Sequence, residues 1–310
     1  MNDSSMGGKT EVKGFLVLSR LPFLLPGLAA LITGMAIGVA DGYDPAGGLA
    51  FISVTGVAMI MLATYYFNEY FDYEGDLINR KFIPFSGGSR ALPDLKVPRK
   101  TAIIAGRIVV AILVVYLIIY LLFYLRDYPM LLFMGLFGAF CGIFYSHTPF
   151  QWSYRGIGEP MIGFCYGILA LTSGYYVVSG VLKPSMLVIA IPASLSIFAV
   201  IVCNEFPDIQ ADRAVHKLNL VVRLGLEKAS VMYAIVMGLL YPTLLMSIAV
   251  GVDWRIAIAG LPVLILSAMA VIWTARGGYA DRPTQIKISG VTLLANLLSS
   301  LMFIPVVMLW

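Results

Sequence analysis

Two acidic segments of this chain repeat one spacing. Asn68, Asp72 and Asp76 stand four residues apart in NEYFDYEGD, as do Asn204, Asp208 and Asp212 in NEFPDIQAD. On a helix, residues four apart lie one turn above another, so each trio would present its oxygens on one face, with Pro207 a source of a kink in the second. Asp and Asn oxygens in this number suit a hard cation, and Mg2+ in particular keeps waters and bridges to substrate phosphates. The expected metal ligands are therefore Asn68, Asp72, Asp76, Asn204, Asp208 and Asp212. Magnesium ions that cancel the Asp charges leave a bound diphosphate in need of other cations. Arg80, Lys81, Arg90, Arg213, Lys217 and Arg223 lie in the same two loops and are the candidates. The Ser86-Gly87-Gly88-Ser89 turn offers backbone N–H groups to phosphate oxygens as well.

The elements that must position these residues are membrane helices. The chain is 60% hydrophobic and only 12% charged over 310 residues, a balance that no water-soluble fold of this size could bury. Apolar runs predict an all-α, polytopic membrane protein of about nine transmembrane helices near 21–40, 48–71, 101–125, 129–146, 157–180, 184–206, 228–250, 255–275 and 286–310. Residues 1–14 read as a polar N-terminal tail, followed by a retained signal anchor and a single transmembrane domain over 15–310. With nine crossings, all of the 21 Lys and Arg residues except Arg126, Lys183 and Arg255 fall on one side. By the positive-inside rule that face, with the N-terminus and both acidic loops, is cytoplasmic, and Trp310 is on the far side. The expected location is thus the cell membrane, multi-pass, with the site on the cytoplasmic side.

The motifs are 136 residues apart (Asp72 to Asp208), each on the second helix of a four-helix stretch. This predicts two four-helix halves plus a last helix around a central cavity. Arg20 lies at the end of an apolar run and either snorkels to headgroups or reaches that cavity, whereas snorkelling suits Arg107. Tyr65, Tyr66, Phe67, Tyr70 and Tyr145 lie near the motifs and either anchor the chain at the interface or line the site. Cys141, Cys165 and Cys203 lack metal-ligand spacing and read as buried thiols. Gly8-Lys9-Thr10 ends like a phosphate-binding loop but lacks the earlier glycine and the preceding strand.

At the two acidic motifs the chain resembles the UbiA superfamily of intramembrane prenyltransferases. The segment from Tyr145 through Pro149, Tyr154, Arg155, Gly156 and Gly158 to Glu159 resembles the dihydroxynaphthoate prenyltransferase branch of menaquinone synthesis, as does the run from Asp212-Arg213 through Lys217 to Arg223-Leu224-Gly225. The chain departs from that branch at His216, Leu218 and Asn219. The resemblance implies Mg2+-dependent transfer of a prenyl group from a polyprenyl diphosphate to an aromatic quinone precursor. Enzymes that prenylate a glycerol-phosphate ether lipid share the motifs and are the alternative acceptor class. Expected partners are thus the polyprenyl diphosphate, an aromatic or lipid acceptor and membrane lipid, with no nucleic acid. Catalytic roles fall on Asp76 and Asp212 as candidate bases, with His147 and His216 as substitutes, and on Tyr145 beside the allylic cation. A secondary transporter is the rival of another class, but it would carry its acids near the midplane on broken helices rather than at helix ends.

Overall fold

The computed structural model describes residues 12–309. Most of the polar tail, including Gly8-Lys9-Thr10, and Trp310 lie outside the described residues. The described chain is helical, with eight helices long and apolar enough to cross a membrane and one shorter apolar helix. In chain order they are α1 (Val12–Ala40), α2 (Gly47–Phe71), α3 (Arg99–Phe123), α4 (Met130–Ile143), α5 (Gly158–Ser179), α6 (Ser185–Glu205), α7 (Leu226–Val250), α8 (Ile256–Ala275) and α9 (Arg282–Met308). Nine segments therefore stand where nine were expected, but α4 is 14 residues long. At 1.5 Å per residue it reaches about 21 Å, short of a hydrocarbon core of roughly 30 Å. Its helix begins after Pro129 and gives way at Phe144 to a run of turns. Apolar composition alone extends it to 146.

The first helix starts earlier than its apolar run, at Val12, bends at Ser19–Arg20 and passes through a 3-10 turn at Leu21–Leu24 before the α-helix Leu25–Ala40. Arg20 sits at the bend with φ 47°.

The helices fall into two groups, which differ from the two four-helix halves expected from the repeat because α1 packs with the later helices. Helices α6 to α9 close on one another, and α1 joins them by packing on α5 and α9. One buried apolar cluster runs through these helices, including Leu171, Met237, Leu240, Val263, Ile288 and Phe303. Small residues let α1 and α5 meet backbone to backbone. A Cβ on Gly34 would strike the Leu171 carbonyl, and one on Gly174 would strike the Leu31 carbonyl. Close approach of this kind drives helix association where lipid removes the hydrophobic incentive. Polar side chains add directional links: Asn296 Nδ2 donates to Ser196 Oγ at 2.9 Å and Thr33 Oγ1 to the Ser300 carbonyl at 3.1 Å. By contrast α2 packs on α3 and α4, and α3 has no other extensive helix partner among the described residues.

Two long connections carry the short helices Tyr73–Ile78, Ile209–Ala214 and Leu220–Leu224. Both acidic trios straddle a helix break. In the first, α2 stops at Phe71 and the next helix starts at Tyr73, yet Asp72 N still donates to Asn68 O (2.8 Å) and Asp76 N to Asp72 O (3.0 Å). In the second, turns over 206–208 separate α6 from the helix starting at Ile209, because Pro207 lacks an N–H for the helical ladder.

Candidate active site

A cavity of about 530 Å³ opens between α1, α2, α3, α4, α5 and α6, with the acidic motifs at one end. The residues that α2 turns toward it run from Leu49 through Ile52, Gly56, Ile60, Ala-flanked Thr64 and Asn68 to Asp72, a three-to-four-residue period that covers one face of the helix. From Leu49 to Asp72 that stripe is about 35 Å long at 1.5 Å per residue. Most of it is apolar, and only its last turns carry charge. The wall from α5 includes Cys165, Tyr166 and Leu169, which lie in a π-helical turn spanning Phe164–Leu169. Ser194 of α6 supports that turn, donating through Oγ to the Gly163 carbonyl (2.8 Å) and accepting from Ile168 N (3.1 Å).

All six expected metal ligands, Asn68, Asp72, Asp76, Asn204, Asp208 and Asp212, line this end of the cavity. The middle Asp of each motif is held by residues from other loops. Asp72 accepts from Tyr154 Oη at 3.0 Å and from Lys217 Nζ at 2.9 Å. Asp208 accepts from Asn79 Nδ2 at 2.7 Å and from Gly87 N at 2.9 Å. The loop can approach this closely because Gly87 and Gly88 take φ of 70° and 69°, and any Cβ on Gly88 would run into the Asp76 carboxylate. The glycine turn thus spends its Gly87 N–H on Asp208 in this arrangement rather than leaving it free for a phosphate oxygen.

Of the seven basic candidates, two reach the cavity. Lys217 Nζ lies 2.9 Å from Asp72 and 3.8 Å from Asp212, so one ammonium bridges the two motifs. Arg20 lines the cavity as well, with Nη1 3.6 Å from Glu69 Oε1 and its guanidinium 4.8 Å from the Phe23 ring centroid. This places Arg20 at the cavity rather than at headgroups. The other five are turned away from the cavity. Arg80, Lys81, Arg213 and Arg223 are exposed, and Arg223 Nε donates to the Leu218 carbonyl at 2.7 Å. Arg90 pairs with Asp94 at 2.7 Å, lies over Phe82 and donates to the Asp76 carbonyl at 2.5 Å, so it braces the loop from outside. Arg107 is exposed and does not line the cavity.

Among the aromatic residues, Tyr65 and Tyr145 line the cavity; Tyr66, Phe67 and Tyr70 do not. Neither His147 nor His216 lines it, and His147 packs edge-on against Phe67 and Phe71 instead. Of the thiols, Cys141 and Cys203 are buried and Cys165 is half-buried.

Several site residues escaped the sequence reading. Tyr154 and Asn79 hold the two central Asp residues. Asn219 donates to Asp212 Oδ2 at 2.7 Å while its Oδ1 caps the helix Leu220–Leu224 through Val222 N at 2.8 Å. Glu69 accepts from Ser89 N and Oγ at 2.6 and 2.7 Å, and Glu205 also lines the cavity. Both glutamates follow the motif asparagine directly, so the repeat extends to Asn-Glu, a signal that was available in the spacing.

Residues 27–305 match the UbiA prenyltransferase family. The chain belongs to the UbiA prenyltransferase family. It is similar to the 1,4-dihydroxy-2-naphthoate octaprenyltransferase of Haemophilus influenzae, with 24% identity over 90% of this chain and 92% of that one. It is also similar to the chloroplastic 2-carboxy-1,4-naphthoquinone phytyltransferase of Arabidopsis thaliana, 33% identical over 34% of this chain, an alignment that spans only 29% of the plant protein. The fold matches that of a UbiA homolog from Archaeoglobus fulgidus solved with GPP and Mg2+, with a TM-score of 0.58 at 12% identity, covering 94% of this chain and 99% of that one.

The donor set of this UbiA-family site fits magnesium. Six carboxylates, Glu69, Asp72, Asp76, Glu205, Asp208 and Asp212, face the cavity with two cations, Arg20 and Lys217. Asn68 Oδ1 and Glu205 Oε2 are buried there without a hydrogen-bond partner. Among the described residues no three His, Cys, Asp or Glu side chains converge into a metal cage. That split is compatible with Mg2+, which fills its octahedron with water and substrate phosphates rather than with an all-protein shell.

Burial pushes the Asp212 carboxyl up to about 7, with Lys217 opposing and Asp208 and Asp72 adding to the rise. Burial likewise raises Asp76 well above the usual carboxylate range, helped by Glu69 and Asp72. Burial works against the Lys217 charge, but Asp212 and Asp72 outweigh it and raise that group overall. A carboxyl raised in the fold stabilises the unliganded protein in its neutral form, a contribution that is complete below about pH 4 and fades as pH rises through about 7. Cation binding demands the ionised form. Apparent Mg2+ affinity in the presence of inorganic diphosphate is therefore expected to be about tenfold weaker near pH 6 than near pH 8, with a proton released on binding. Calorimetry in two buffers of different ionisation enthalpy measures both quantities, and an affinity flat across that range would contradict the assignment.

Proposed function

We propose that the chain transfers a prenyl group from a polyprenyl diphosphate to an aromatic quinone precursor inside the membrane, in a Mg2+-dependent reaction. The observation that carries this reading is the meeting of both acidic motifs at one end of a long apolar cavity, bridged by Lys217. Asn68, Asp72, Asp76, Asn204, Asp208 and Asp212 would hold the metal, which supplies Lewis-acid stabilisation of the departing diphosphate. Lys217 and Arg20 add positive charge where that leaving group gains negative charge. The allylic C–O bond breaks with its electron pair going to diphosphate. Tyr65, Tyr145, Tyr154 and Tyr166 border the acidic end of the cavity, so their rings can face the allylic cation while the apolar walls exclude water. A ring carbon of the acceptor then forms the new C–C bond and its proton passes to a carboxylate, for which Asp76 and Asp212 are the candidates. The positive-inside pattern supports a cytoplasmic N-terminus and a site at the cytoplasmic face.

The named relatives act on naphthoate and naphthoquinone acceptors, which favours an aromatic acceptor over a glycerol-phosphate ether. A transporter reading is weakened by the helices themselves: α2 and α6 continue to Phe71 and Glu205, with the acids at their ends. The opposite end of the cavity is shut by buried Leu49, Tyr120 and Val177. The test incubates purified protein with Mg2+, radiolabelled geranylgeranyl or longer diphosphate, and dihydroxynaphthoate, hydroxybenzoate or a glycerol-phosphate ether. Prenylated dihydroxynaphthoate is the expected product. Transfer to the ether alone would reassign the acceptor, and neither product nor diphosphate release with any acceptor would overturn the enzyme reading.

A further inference from the structure

Lys217 sits in a loop, yet its ammonium stands where both motifs meet, and hydrogen bonds to three partners fix the segment that carries it. Lys217 N donates to the Asp212 carbonyl at 2.9 Å, Leu218 N to the Tyr154 carbonyl at 3.2 Å and Leu220 N to Glu159 Oε1 at 2.5 Å. Of these three acceptors only Glu159 belongs to a membrane-spanning helix. It lies in the first turn of α5, is 0% exposed and does not line the cavity. The turn that leads into α5 is itself tightly held. A Cβ on Gly158 would meet Ser153 Cα and the Tyr145 ring at 2.9 Å, and Ser153 N and Oγ both donate to the Tyr145 carbonyl at 2.9 Å. The same turn carries Tyr154, whose hydroxyl reaches Asp72. Glu159 thus joins the segments that supply both partners of Asp72, Tyr154 and Lys217.

We infer that Glu159 is a positioning residue: through the Leu220 N–H it sets the Lys217 ammonium against Asp72 and Asp212, and so fixes a positive charge that meets the diphosphate. The inference rests on the proposed prenyl transfer and adds what holds one of its cations in place. Because Glu159 lies behind the cavity wall, it acts through the loop and not on substrate. Stabilisation of a leaving group depends on charge that is already in place, and a misplacement of about 1 Å can cost on the order of a hundredfold in rate. The bond can be broken from either end. Leu220 is the first residue of the helix Leu220–Leu224, and Asn219 before it has φ −62° and ψ 174°. That backbone accepts proline at 220, which removes the N–H and leaves Glu159 in the sequence.

The test measures kcat and donor KM in Glu159→Leu, Glu159→Gln and Leu220→Pro, each with Lys217 present and in the Lys217→Met background. Glu159→Leu and Leu220→Pro should each lower kcat about tenfold or more when Lys217 is present, and less than about twofold in the Lys217→Met background, since the contact acts through that ammonium. Glu159→Gln keeps an oxygen for the Leu220 N–H and should hold kcat within about threefold of wild type. Losses that multiply with that of Lys217→Met would overturn the inference by showing a role independent of Lys217. A Gln variant as slow as the Leu variant would overturn it too, because the carboxylate itself would then be needed. Leu220→Pro decides the matter if Glu159→Leu fails to fold, and normal turnover in it would be equally fatal. Calorimetric affinity of the same set for inorganic diphosphate with Mg2+ should follow the same pattern without any prenyl transfer. Wild-type protein that binds Mg2+ and diphosphate but prenylates no acceptor would overturn the proposed reaction, while affinities coupled through Lys217 would still support the positioning role.

Discussion

Asp72→Ala is expected to lower turnover at least about a thousandfold while the protein stays folded, because the substitution removes a metal oxygen and unties both groups that meet there. Tyr154 Oη and Lys217 Nζ each lose their Asp72 partner, at 3.0 and 2.9 Å. The ammonium then leans on Asp212 alone, and the charge that should face the diphosphate is displaced. Asp208→Ala should be as damaging for a second reason. Its carboxylate anchors Asn79 and Gly87, so its loss frees the loop that covers Asp76. Single-turnover transfer of a radiolabelled prenyl group measures the first effect, and a thermal melt in detergent checks the fold. Near-normal turnover in either variant would remove the metal assignment.

Lys217→Met tests the electrostatics of the unliganded site. Lys217, Asp72 and Asp212 have side-chain exposures of 17%, 16% and 10%, so the ammonium and its partners interact largely out of water. Removing one partner from such a group leaves uncompensated buried charge, a loss of about 3 kcal/mol. For a chain of this size that corresponds to roughly 5–10 °C in Tm. Added Mg2+ should recover most of the drop, since a divalent ion can neutralise the same carboxylates. Catalysis should still fall about a hundredfold in kcat/KM, because the fixed positive charge beside the leaving group is gone. Lys217→Arg should retain part of both. A Met variant whose melting temperature ignores Mg2+ would show that the two motifs do not share one cation site.

The two predictions depend on pairings that differ in how visible they were beforehand. The Asn and Asp repeat was readable because paired acids at identical spacing are unusual beside apolar runs, and a period of four on a helix leaves little choice of face. The cations were not separable in the same way. Arg80, Lys81, Arg90, Arg213, Lys217 and Arg223 all lie in the two loops, and only the backbone path decides which side chain turns inward. That path runs through left-handed residues, with φ of 62° at Arg90 and 56° at His216 just before Lys217, which composition does not announce. One departure from the family branch, Asn219, caps a helix and holds Asp212 at once. Tyr154 became a ligand of Asp72 only because the loop after α4 folds under the loop after α6, where Leu218 N donates to the Tyr154 carbonyl at 3.2 Å.

By itself the sequence determined the solvent, the helical class, the acidic repeat and the chemistry those oxygens favour, since hydrophobicity and i, i+4 spacing are local properties of the chain. Only the tertiary structure decided which charges meet, how short α4 is and what lines the cavity. Those depend on contacts between residues far apart in the chain, such as Lys217 with Asp72.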